Sequence, residues 1–215
     1  MARKARIAAI NQVNKKQVTT LDYILHKDHL TDIVNNATCL YNEAEVEEAL
    51  EKMAKAISED LADKNPVFLC VVIGGIITMG RLLPKIEFPL QLDYIHVSRY
   101  GDKAGGSNLD WKAKPSCDLN GRNVVIVDDV LDGGMTLRAI KQFCEEANCN
   151  EVYTAVLADK PSGRHPNGVQ KPDYSGLTLG DHWVIGSGMD YKGYLRNLNG
   201  IYALSPETIK KVYSS

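Results

Sequence analysis

Apolar residues fall along this chain in two patterns. Val67 to Ile73 and Val124 to Val127 are unbroken apolar runs, and Glu151 to Leu157 carries a third with one threonine inside it. Runs without alternation predict strands buried on both faces of a parallel sheet. Between them the spacing turns helical. Asn42 reads as an N-cap, and Val46, Leu50, Met53, Ile57 and Leu61 form one stripe of a helix ending near Asp63. Leu137, Ile140, Phe143, Cys144 and Ala147 form another on a helix opening at Thr136. Asn65-Pro66 ends the first helix, and Thr78 to Leu83 predicts a short one. Leu92 to Ser98 alternates loosely as a strand. Tyr100 to Ser116, with three glycines, reads as a long polar loop suited to a lid, and Ser162 to Ser175 as a second loop. Trp183 to Gly186 is a short apolar run. Strands alternating with helices give an α/β class, a doubly wound parallel sheet.

Composition narrows the class. The chain has 215 residues, enough for one core plus an appendage, and a net charge of -2, which leaves no global basic field for nucleic acid. No apolar run reaches the length of a membrane span. The basic start, up to Thr38, has weak periodicity and reads as a peripheral arm. The five cysteines are odd in number and lack C-x-x-C spacing, so neither a disulfide frame nor a zinc site is expected. A reducing compartment, the cytoplasm, follows. The five histidines show no metal-ligand spacing.

Chemistry concentrates after the second run. Asp128 and Asp129 stand where that strand is expected to end, Asp132 follows after two apolar residues, and Gly133-Gly134 lead into Met135-Thr136 and a helix. Amides at a helix start, with glycine allowing close approach, make an anion site. Carboxylates at a strand end suit sugar hydroxyls or a magnesium ion. Together they point to a sugar phosphate bound outside the carboxyl ends of the strands.

This stretch resembles the phosphoribosyl-pyrophosphate signature of the type I phosphoribosyltransferases. Lys160 after a strand, then Trp183-Val184-Ile185-Gly186, Asp190-Tyr191 and Arg196, is similar to the hypoxanthine-guanine branch of that family. The resemblance implies a fold with a small hood built from the chain termini: 1–38 an arm and part of the hood, 39–161 the core, 162–215 the hood and purine-binding segment. It implies magnesium-dependent transfer of a phosphoribosyl group from phosphoribosyl pyrophosphate to a free purine base. By that resemblance Asp132 is the acid/base group, and Asp128 and Asp129 meet the ribose hydroxyls, directly or through Mg2+. Gly133, Gly134, Met135 and Thr136 hold the 5-phosphate. Gly74, Gly75 and Arg196 serve the pyrophosphate. Lys160, Trp183 and Val184 hold the purine, and Asp190 binds the metal. A homodimer or homotetramer is implied, with no nucleic-acid or membrane partner.

Two positions depart from the pattern. Ile73 stands where many relatives carry a basic residue, and Arg99 where a small hydroxyl residue is common, so Arg99 is a candidate to supply the missing charge. Two other readings compete: a sensor that kept this fold without catalysis, and a signalling receiver domain. A receiver places its acid pair after its first strand, whereas here the pair lies past the middle of the chain.

Overall fold

A computed structural model describes the backbone at residues 20–99 and 109–213, and the side chains at 27–97 and 110–210. The chain divides into two units, 1–37 and 38–215. The first contains helix α1 (Thr20–Asn35), whose last turns are tied by Thr31 Oγ1 to the Lys27 carbonyl and Asn36 Nδ2 to that of Asp32.

The second unit is built on a six-stranded sheet. Its strands are β2 (Val67–Val72), β3 (Gln91–Arg99), β4 (Leu109–Ala113), β5 (Asn123–Leu131), β6 (Glu151–Asp159) and β7 (Tyr174–Thr178), in the order β4-β3-β2-β5-β6-β7. All neighbours are parallel except β3 and β4. The unbroken runs are explained by the two faces. Phe68, Cys70, Val125 and Val127 enter one core with α2 (Glu43–Leu61) and α3 (Gly75–Leu82). Val67, Leu69, Val124 and Ile126 enter the other with Leu137, Ile140 and Cys144 of α4 (Met135–Glu146). Each large side chain buried this way contributes about 1.5–3 kcal/mol. Helix α2 starts with a reciprocal capping box between Asn42 and Glu45, and its whole predicted stripe is buried.

A small sheet, β1-β9-β8, joins β1 (Thr38–Tyr41), β8 (Val184–Ile185) and β9 (Ile201–Ala203), and α5 (Pro206–Tyr213) follows. Two strands cross the segment boundaries expected from sequence: β7, after residue 161, belongs to the large sheet, and β1, which straddles the boundary at residue 38, to the small one. The expected 100–116 loop also needs correction. Residues 100–108 lie outside the described residues, but Leu109–Ala113 is a strand antiparallel to β3. Its alternation is short, and the glycines before it masked the period.

Asp93 anchors the chain beyond β4. Its buried carboxylate accepts from the Tyr94, Ser116 and Cys117 amides and the Ser116 hydroxyl. Burial pushes its carboxyl up, but these donors outweigh it and hold it at about 2. The folded value lies below the ordinary one, so the contribution is complete above about pH 4 and is lost as pH falls toward 2. Asp93→Asn is expected to cost on the order of 2 kcal/mol at pH 6 and progressively less toward pH 3. Urea unfolding across that range checks it; a pH-independent difference would contradict the assignment.

Candidate active site

The switch point of the sheet lies between β2 and β5, from which the chain winds outward in both directions. Strand β5 runs past the apolar run to Leu131, so the acid pair lies within it rather than after it. The ladder to β2 stops at Cys70–Val127, while that to β6 continues to Leu131–Asp159. Asp128 and Asp129 therefore occupy the part of β5 that β2 has left. The Gly74-Gly75 turn fills that space. A Cβ on Gly74 would sit 2.5 Å from Asp129 Oδ2, and one on Gly75 2.6 Å from the Val127 carbonyl. The preceding Val72–Ile73 peptide is cis, and the Ile73 side chain is exposed. Helix α3 starts at Gly75, three residues earlier than expected.

Both acids are buried. Asp128 Oδ1 accepts from the Asp129 amide and Asp129 Oδ1 from that of Val130. Burial raises both carboxyls. Asp128 rises well above the usual range because the Asp129 charge and a hydrogen bond between the two side chains add to it, while Arg196 pulls both down.

After Leu131 the chain turns into α4. Gly134 caps the helix at φ 77, a left-handed conformation that favours glycine, and a Cβ there would meet the Val169 carbonyl at 2.5 Å. The turn rests on the 160s loop: the His165 amide donates to the Gly133 carbonyl and the Val169 amide to that of Gly134, both at 3.1 Å. Thr136 lies in the first turn of α4, where helical amides have no intrahelical acceptor.

The opposite wall comes from β6 and the hood. Lys160 follows β6 directly, is buried, and places Nζ 3.3 Å from Asp181 and 3.8 Å from Asp132. Trp183 is half exposed beside Val184, whose strand pairs with β9. Asp129, Asp132, Lys160, Trp183, Val184 and Asp190 line one cleft of about 260 Å³, together with Val130, His182 and Met189. That volume lies near the lower end for small-molecule sites.

Arg196 stands between two carboxylates, 2.6 Å from Asp190 and 3.9 Å from Asp129, and also donates to the Gly188 carbonyl. Asp190 Oδ2 accepts from the Gly193 amide at 2.6 Å, so it caps a turn and pairs with Arg196 at once. Gly188, at φ 109, is the seam: a Cβ there would lie 2.4 Å from the Gly74 carbonyl and 3.0 Å from Asp129 Cβ. Side chains are therefore excluded where hood, Gly74 turn and β5 meet.

Of the candidate residues, the Arg99 side chain lies outside the described residues; the others gather around the carboxyl ends of β2, β5 and β6. Two positions were not foreseen. Gly188 stands in Gly-Ser-Gly, a stretch that permits φ > 0, but nothing local in the sequence marks the close approach it serves. Arg164, one of two cationic residues in a polar loop with Lys171, carried no signal. Its guanidinium donates to the carbonyls of Leu131, Asp132, Lys160 and Gln170, and pairs with Asp159.

Comparison with known proteins agrees with this geometry. The phosphoribosyl transferase domain model matches residues 36–192. The hypoxanthine-guanine phosphoribosyltransferase of Streptococcus pneumoniae is 33% identical over 177 residues, covering 82% of this chain and 95% of that protein. The hypoxanthine-guanine-xanthine phosphoribosyltransferase of Tritrichomonas foetus is 30% identical, covering 74% and 86% respectively. Among solved structures, a hypoxanthine phosphoribosyltransferase of Staphylococcus aureus superposes with a TM-score of 0.76 at 25% identity, covering 81% of this chain and 95% of that one. The receiver alternative is thereby set aside. With the matching domain spanning the sheet and these relatives aligned over most of its length, the chain belongs to the phosphoribosyltransferase family, in its hypoxanthine-guanine branch.

Proposed function

We propose that this cleft transfers the phosphoribosyl group of phosphoribosyl pyrophosphate to hypoxanthine or guanine, giving IMP or GMP and pyrophosphate, as a purine salvage enzyme. One observation carries the reading. Asp132, Lys160 and Trp183 come from three separate stretches, yet line one cleft with Asp129 and Asp190. The names of the bacterial and trichomonad relatives support it.

Displacing pyrophosphate leaves an electron-poor ribose. Asp128 and Asp129 accept the ribose hydroxyls, and Gly133 to Thr136 hold the 5-phosphate at the start of α4. Asp132 takes the proton from the imidazole-ring nitrogen as the base bonds to the sugar. Lys160 donates to the 6-oxo group, Trp183 stacks on the ring, and the Val184 backbone reads its edge. Gly74, Gly75 and Arg196 hold the departing pyrophosphate.

Magnesium fits the donor set. It takes one or two carboxylates and completes its shell with water and substrate phosphates. Asp129 and Asp190 flank one cation, Arg196, and among the described residues no three His, Cys, Asp or Glu side chains gather into a metal cluster, so water and substrate phosphates would have to complete the shell. Asp190, or the Asp128–Asp129 pair, would supply those carboxylates, and the ion when bound would neutralise charge on the pyrophosphate.

We place the protein in the cytoplasm, where its five free cysteines stay reduced. We also read it as a homodimer or homotetramer. Leu92 and Tyr94 pair with the core residues Phe68 and Cys70 yet remain half exposed, so one sheet face continues beyond its cover. Light scattering is expected to give a multiple of 23.7 kDa; a monomer would overturn this.

The test of the function is pyrophosphate release with phosphoribosyl pyrophosphate and magnesium. Release is expected only when hypoxanthine or guanine is added. Ligand binding without release would instead fit a catalytically silent sensor.

A further inference from the structure

Past the last paired residues of β5 and β6, Leu131 and Asp159, the sheet no longer sets the spacing of the two chains. One backbone bond continues, from the Lys160 amide to the Leu131 carbonyl at 3.0 Å. Beyond it, Arg164 takes over. Its side chain is only 9% exposed, which makes every donor on it accountable. The two N–H groups of Nη1 are shared among the carbonyls of Leu131, Asp132 and Lys160, Nε donates to that of Gln170 at 3.1 Å, and Nη2 to the Asp159 carboxylate.

We propose that Arg164 is a positioning residue for phosphoribosyl transfer, fixing the backbone of Asp132 against that of Lys160. The inference rests on the function proposed above. Arg164 is absent from the cleft lining and so acts through the other two. Asp132 must meet a ring nitrogen of the base while Lys160 meets the oxo group of the same base. Their side-chain tips lie 3.8 Å apart, so the spacing of their carriers decides whether both reach one ligand. A displacement of about 1 Å in a reacting group costs up to ~10²-fold.

The same loop supports the phosphate turn. The backbone amides of residues 165 and 169 donate to the Gly133 and Gly134 carbonyls, and the Gln170 side-chain Nε2 holds the loop closed by donating to the His165 and Gly168 carbonyls at 2.9 and 2.8 Å. Only arginine fits this post. A planar fork with five donors serves several acceptors in fixed directions, whereas lysine offers three donors from one point.

The test compares Arg164→Lys, Arg164→Ala, Asp132→Asn and the double variant Arg164→Lys/Asp132→Asn, each confirmed folded by circular dichroism. Arg164→Lys keeps the charge for Asp159 and carries the test if the alanine variant does not fold. Turnover of Arg164→Lys is expected to fall ~10-fold or more. In the Asp132→Asn background the same change is expected to cost several-fold less than in the parent, because one of the two groups being positioned is gone. Added guanidinium is expected to restore part of the activity of a folded Arg164→Ala variant, and ammonium at equal ionic strength none. An active parent with Arg164→Lys within about twofold of it, or with losses that multiply fully in the double variant, overturns the role of Arg164 alone. A parent that releases no pyrophosphate overturns the functional reading and this inference with it.

Discussion

Replacing Asp132 by asparagine is expected to lower turnover ~10²–10⁴-fold, the usual contribution of a positioned acid/base group. The affinity for phosphoribosyl pyrophosphate is expected to stay within a few-fold. The geometry separates the two effects. The Asp132 side chain is half exposed and pairs with Lys160, and among the described residues no backbone amide donates to its carboxylate. What holds the turn is backbone: the Asp132 carbonyl on Arg164, and the Gly133 and Gly134 carbonyls on the amides of residues 165 and 169. Asparagine preserves size and leaves these bonds in place while removing the proton acceptor. Steady-state turnover together with calorimetric binding of phosphoribosyl pyrophosphate checks this. Near-normal turnover would remove Asp132 from its role.

Lys160→Ala is expected to reduce kcat/KM for hypoxanthine and guanine by ~10–100-fold, the loss of a hydrogen bond from a charged group worth about 1.5–3 kcal/mol. Any activity on adenine is expected to change little. A 6-oxo group accepts from the ammonium, whereas a 6-amino group presents donors to it. The fold should tolerate the change, because the carboxylates left behind are not stranded: Asp181 is 84% exposed and Asp132 53%. Rates across a panel of free bases check the selectivity. Equal losses on oxo- and aminopurines would mean that Lys160 does not read the oxo group.

The core of the sheet was legible because burial on both faces leaves its mark as runs without alternation, as at Val67 to Val72 and Val124 to Val127. Helix α2 was legible from its cap and its stripe. Two carboxylates in a row look like a strand end, yet β5 carries the acid pair inside it, because its β2 neighbour has already departed there. Strand β4 was hidden by the glycines before it, and β7 by Gly176 at its centre, where a Cβ would press on the Leu157 carbonyl at 2.9 Å. In the site, residues whose type and order carry chemistry were found. Those that work through backbone were not. Arg164 grips four carbonyls that no side-chain pattern encodes, and Gly188 is required by a close approach between segments more than a hundred residues apart.

The account stands on a nucleotide seated across the carboxyl ends of β2, β5 and β6, and a crystal structure with IMP and magnesium pyrophosphate tests it most directly. The phosphate is predicted at the amides of Gly133 to Thr136, the ribose against Asp128 and Asp129, and the purine on Trp183 with its 6-oxo group at Lys160. A nucleotide bound elsewhere, or one whose base points away from Lys160 and Trp183, would contradict it.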